Sequence, residues 1–117
     1  MVKRVSLVKL RPDIPLAQAQ QFWIDQHATR VSTLAAQGLR GYVVNLVDPE
    51  ASEAARHPLT PQGDRHLLGC DGFAETWYDS VEAMDRVIGG NQAVTRGDDP
   101  DFIESVRVLV VHEHRVI

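Results

Sequence analysis

The sequence predicts an α+β domain with elements in the order β-α-β-β-α-β, and three observations carry that prediction. Four runs rich in β-branched, aliphatic and aromatic residues, over 2–10, 41–47, 70–78 and 106–116, read as strands. Between the first and second runs, and again between the third and fourth, apolar residues recur at helical spacing. Gly, Pro and Asp clusters punctuate the junctions.

The elements follow in order. The first strand, VKRVSLVKL, stops at Arg11-Pro12-Asp13, because proline has no N–H to give a ladder. A helix is expected from Pro15, whose fixed φ suits a first helical position. Leu16, Ala19, Trp23, Val31 and Leu34 mark one apolar face as far as about Ala36, and Gly38 supplies the stop. The second strand is GYVVNLV. Residues 48–69 hold three prolines, His57 and His66 without a sustained period. They read as a long loop of the kind that serves as a lid, with a helical turn over 51–56.

CDGFAETWY is the third strand. Asp79 or Ser80 is expected to cap a second helix over 81–88, and Gly89-Gly90 to end it. Residues 91–105 read as a polar excursion around Asp98-Asp99-Pro100-Asp101, and VRVLVVHEHRV as the last strand. This order is the ferredoxin-like split βαβ arrangement, with a four-stranded antiparallel sheet, two helices on one face and one bare face. A bare apolar face asks for a partner, and a second copy of the chain is the simplest.

The chain has 117 residues, which suits one domain over 1–117. Its 44 % hydrophobic and 24 % charged residues are ordinary globular proportions. Twelve Lys and Arg against sixteen Asp and Glu give a net charge of −4, which argues against nucleic acid or an anionic membrane surface as partner. The longest apolar run, 108–111, is far short of a membrane span, and no signal-peptide centre is visible, so a cytoplasmic location is expected. Cys70 is the lone cysteine and cannot form an intrachain disulfide.

Several residues could carry chemistry. His27 lies four residues after Trp23 on the apolar stripe, where a half-buried imidazole either packs in the core or moves protons near neutral pH. Tyr42 opens the second strand; its hydroxyl could pack or hold a carbonyl or enolate oxygen. Asn45, three residues on, faces the opposite side in a regular strand. Glu75 stands between Phe73 and Trp77 on one strand face, and if buried it needs a partner such as Arg40, Arg107 or His27. His112 and His114 point the same way on a strand. A metal there would need His27, His57 or His66 as third ligand, at no diagnostic spacing, so no metal site is assigned. The Asp98–Asp101 cluster lacks the calcium-loop pattern and reads as a solvated turn. No nucleotide-binding or nucleophile-elbow motif occurs, and no cofactor is assigned.

Five segments in order carry a family resemblance. They are Leu7-Val8-Lys9 with Arg11-Pro12-Asp13, Phe22-Trp23 with His27, residues 38–45, residues 71–80, and Asp101-Phe102-Ile103. Together they resemble the EthD family of small proteins with dimeric α+β barrel folds. The family's usual His-Gly-Pro is His27-Ala28-Thr29 here, so the helix is expected to run past the histidine. The resemblance implies cofactor-independent chemistry on small cyclic or aromatic carbonyl compounds, of the kind seen in aromatic catabolism and polyketide cyclisation. It implies His27 and Tyr42 as the catalytic pair of a homodimer. Thr76 stands where an isomerising relative has a cysteine.

The resulting expectation is a small-molecule pocket between the first helix and the sheet. His27 shuttles a proton and Tyr42 stabilises an oxyanion. Trp23, Trp77 and Phe102 form walls, and Asn45, Glu75 and His112 give polar contacts. The rivals are a cofactor-free monooxygenase or ether-degradation accessory protein, and a non-catalytic ligand-binding dimer.

Overall fold

The computed structural model describes residues 1–61 and 70–117. Its sheet has strands β1 (Val2–Leu10), β2 (Gly41–Leu46), β3 (Gly72–Tyr78) and β4 (Ile103–Val111), in the order β2-β3-β1-β4 and antiparallel throughout. That is the expected split βαβ topology: an α+β, ferredoxin-like fold.

The first helix, α1, covers residues 16–37 in four segments. These are α-helix at Leu16–Phe22, a π turn at Trp23–His27, α-helix at Ala28–Ser32 and a 3₁₀ end at Thr33–Gln37. Pro15 is the N-cap rather than the first helical residue, with extended ψ of 132°. Gly38 closes the helix at φ 119°, a conformation that costs a residue with a Cβ dearly.

Helix α2 (Pro49–Ala54) begins where Asp48 accepts the Ala51 N–H. It lies inside the segment expected as a loop over 48–69. Residues 62–69 of that segment, His66 among them, lie outside the described residues. Helix α3 (Val81–Gly89) is capped by Ser80, which accepts the Ala83 N–H at 3.1 Å. Asp79 is not the cap; it pairs with Arg40 at 2.9 Å.

The expected polar excursion is instead two short helices, α4 (Gln92–Arg96) and α5 (Asp99–Phe102). As a result β4 starts at Ile103 rather than 106. It ends at Val111, so His112 and His114 lie past the strand and the shared-face argument for them fails.

Strand parity divides the sheet cleanly. Even positions of β1 to β4 face the helices and odd positions the bare face, as the pairings Val2↔Tyr78, Arg4↔Thr76 and Tyr42↔Thr76 require, except that a register shift at Leu10 turns Ile103 of β4 to the helix side. On the helix side two apolar clusters form. One gathers Val2, Val31, Leu34, Tyr78, Met84 and Val87; the other gathers Val8, Leu10, Ala19, Trp23 and Phe102. Each large side chain buried this fully contributes about 1.5–3 kcal/mol. The helix-facing residues of β1 between these clusters are Arg4 and Ser6, and the core stays open over them. No helix among the described residues is long and apolar enough to cross a membrane.

Candidate active site

A cavity of about 280 Å³ lies over Arg4 and Ser6, between α1 and the sheet. Apolar side chains from α1 (Trp23, Val31, Leu34) and α3 (Ile88) wall it. His27 enters from the π turn, Tyr42 and Thr76 from β2 and β3, and Arg96 and Asp99 from α4 and α5. At this size it lies near the lower end of ligand-pocket volumes.

His27 is positioned by the turn that carries it and by two side chains, Phe102 and Asp98. The π turn is closed by the Ala28 N–H donating to the Trp23 carbonyl, a widened turn of the kind that recurs at functional sites. The His27 ring is 8 % exposed and packs against Phe102, centroids 5.3 Å apart. Its Nδ1–H donates to Asp98 Oδ1 at 2.7 Å. Asp98, 4 % exposed, also holds Arg30 Nη1 at 3.2 Å through Oδ2. His27 and Arg30 reach one carboxylate because residues three apart on a helix are surface neighbours. Gly97 lets the chain deliver Asp98: a Cβ there would lie 2.3 Å from the Ala93 carbonyl oxygen.

An ionised Asp98 only accepts, so in the neutral ring it assigns the proton to Nδ1 and makes Nε2 the basic nitrogen. Burial pushes the Tyr42 phenol up to about 12, against a smaller opposing effect of the Trp23 indole. Tyr42 is therefore a neutral O–H donor at physiological pH. Asp99 lies 3.8 Å from His27 Nδ1, and burial raises its carboxyl above the usual range, with His27 opposing. His27, Asp98 and Asp99 present ligand atoms within 4.8 Å of one another, a set of the chemistry that divalent cations take. Two of these atoms, His27 Nδ1 and Asp98 Oδ1, already satisfy each other.

The structure brings together three of the residues singled out by sequence: Trp23, His27 and Tyr42. Asn45, Glu75 and Trp77 are on the opposite face, because β2 and β3 pair without a bulge and parity holds. There Glu75 accepts from Lys3 Nζ at 2.5 Å and from Asn45 Nδ2 at 2.9 Å; its partner is none of the three residues expected. The Trp77 indole N–H donates to Glu113. Phe102 does not line the cavity but packs behind it, 5.0 Å from Phe22 by ring centroids. His112 is exposed beyond β4.

Sequence reasoning missed Asp98, taken for a solvated turn, and also Arg4, Arg30 and Asp99. The signal for Arg4 was available: it is a cation in the even register of β1, among Val2, Val8 and Leu10. Nothing local marked Asp98, which lies 71 residues from His27.

A split βαβ sheet with a ligand-sized cavity under its first helix defines the chain as a small ferredoxin-like protein with an enclosed polar site. It belongs to the EthD domain family, whose model matches residues 11–105. Among solved structures it is similar to an EthD (ethyl tert-butyl ether) family protein of Bacillus halodurans, at 17 % identity and a TM-score of 0.67, covering 97 % of this chain and 99 % of that one. A dimeric protein of unknown function from Bacteroides fragilis matches at 16 % identity and 0.63, over 96 % and 95 %. An EthD-like protein of Ralstonia eutropha matches at 12 % and 0.61, over 94 % and 89 %. No curated protein matches the sequence. At these identities the similar structures speak for the fold alone.

Proposed function

We propose that the chain is an acid–base catalyst that uses its own side chains on a small cyclic or aromatic carbonyl compound, and that it works as a homodimer. The observation that carries this reading is the buried Asp98 holding His27 Nδ1 at 2.7 Å on the cavity wall, with Nε2 left as base. Nε2 takes the proton from the carbon beside the carbonyl, and Asp98 stabilises the imidazolium that forms. The Tyr42 O–H donates to the enolate oxygen as charge develops there. Return of the proton to another carbon isomerises the substrate; loss of a β-hydroxyl with that proton dehydrates it.

Dimerisation is supported by the bare sheet face, where Val43 and Leu109 are 44 % and 51 % exposed. Two of the similar structures are described as dimeric.

The test is proton exchange at carbon beside a carbonyl, followed by NMR in D₂O over a panel of cyclic ketones and lactones. Exchange should be catalysed for at least one class and fall by about 10²–10⁴ in His27→Gln. Unchanged exchange in that variant removes His27 from the chemistry. Saturable binding without exchange makes the chain a ligand-binding protein. Oxygen uptake with an electron-rich phenol makes it an oxidase-type catalyst.

A further inference from the structure

The cavity holds charge that the His27–Asp98–Arg30 network leaves unused. Arg4 and Ser6 occupy the helix-facing rows of β1, where a sheet under helices ordinarily carries apolar side chains. Arg4 is half-buried, and its Nη1 donates to Ser6 Oγ at 3.2 Å. Among the described residues it has no ion-pair partner, and neither has Arg96 at the cavity rim. Asp99 is the carboxylate that shares the cavity with them, since Asp98 is matched by Arg30. Arg96 is exposed and solvated, so Arg4 is the half-buried guanidinium in the cavity that no carboxylate meets within ion-pair distance among the described residues. An unmatched cation in such a place is costly unless a counter-charge meets it.

The geometry points to a carboxylate-bearing monoanion as the ligand, with its carboxylate on Arg4 and its apolar body against Trp23, Val31 and Leu34. A planar carboxylate matches the guanidinium fork in shape, and its charge meets the ion-pair partner that Arg4 lacks. The volume agrees, because about 150 Å³ already admits benzene, so 280 Å³ takes a substituted single ring. Arg4, Thr76 and Tyr42 share one row across β1, β3 and β2. The outer strands of that row are about 9–10 Å apart. A ligand anchored at Arg4 therefore extends along the row toward Tyr42, where a carbonyl is needed. This inference deepens the acid–base reading and rests on it for its catalytic meaning.

The experiment compares benzoate, benzamide and phenyl phosphate by titration calorimetry on the whole chain in 0.15 M salt, a concentration at which bulk charge is largely screened. Benzoate should bind about 10- to 100-fold tighter than benzamide, the factor given by a charge-assisted hydrogen bond. Arg4→Gln should bring the two to parity, and Arg4→Lys should keep part of the preference. Equal binding of benzoate and benzamide to the unaltered chain, binding of neither, a preference that survives Arg4→Gln, or tighter binding of phenyl phosphate overturns the proposal. The comparison on the unaltered chain stands even where Arg4→Gln folds poorly. The two readings fail differently. A carboxylate preference without proton exchange sinks the acid–base step alone. Exchange without that preference sinks the anchor alone.

Discussion

Asp98→Asn isolates what the buried carboxylate does. In the native chain Asp98 accepts from His27 Nδ1 at 2.7 Å and forms an ion pair with Arg30 Nη1 at 3.2 Å, while only 4 % exposed. A hydrogen bond to a charged group is worth about 1.5–3 kcal/mol and a neutral one about 1 kcal/mol. The Asn amide can still accept from Nδ1, and Arg30 is half exposed and recovers solvation, so that arm of the loss is small. The difference leaves a destabilisation of about 1–2 kcal/mol, or roughly 3–10 °C in Tm for a chain this size. The more diagnostic effect is on the ring. With a neutral acceptor, His27 no longer has its proton assigned to Nδ1 by charge, and the base at Nε2 is populated for only part of the time. Nitrogen NMR should show a single Nδ1–H tautomer in the native chain and a mixture in the variant. Proton exchange should fall by about 10- to 100-fold, less than the loss on deleting the base itself. A Tm within 1 °C of native together with an unchanged tautomer would refute the coupling.

Two further predictions follow from the other face of the sheet. The hydrogen bond from Lys3 holds the Glu75 carboxyl below its usual value, and Asn45 adds to this. The Lys3 ammonium is correspondingly raised by Glu75. For a depressed carboxyl the stabilisation is present above the unfolded pKa, ordinarily 4.5, and is lost as pH falls through the lower folded value. For the raised amine it is lost only above 10.5, as pH rises through the folded value. Urea unfolding should therefore show Glu75→Gln less stable than native at pH 7 and level with it once Glu75 is protonated; a gap persisting at pH 2–3 contradicts the pairing. On the same face, Leu109→Asp should shift the sedimentation mass from two chains to one, and a native chain that sediments as a monomer removes the proposed interface.

Parity and punctuation were legible because they are local. The strand alternation, the Gly38 stop at φ 119° and the Ser80 cap each depend on residues within a few positions. The same locality put Asn45 opposite Tyr42, and the regular β2–β3 register kept it there. His27 and Trp23 were recognisable as candidates because they share the apolar stripe of the first helix, and Tyr42 because it opens the second strand and matches the family resemblance. Residues 91–105 misled for the converse reason. Their polar composition resembles a solvated turn, yet α4 and α5 press that polarity inward against α1, where Asp98 accepts from His27 and pairs in charge with Arg30.

The sequence by itself determined the order of the main elements, the alternation of side chains within each strand and the sign of the overall charge. These follow from backbone sterics and periodicity, which act over a turn or a strand. Only the tertiary structure decided which charges meet. Asp98 finds His27 across 71 positions and Glu75 finds Lys3 across 72, and it leaves Arg4 facing the cavity. Electrostatics and burial depend on distance in space. That distance exists only after the strands have paired and α1 has crossed the sheet.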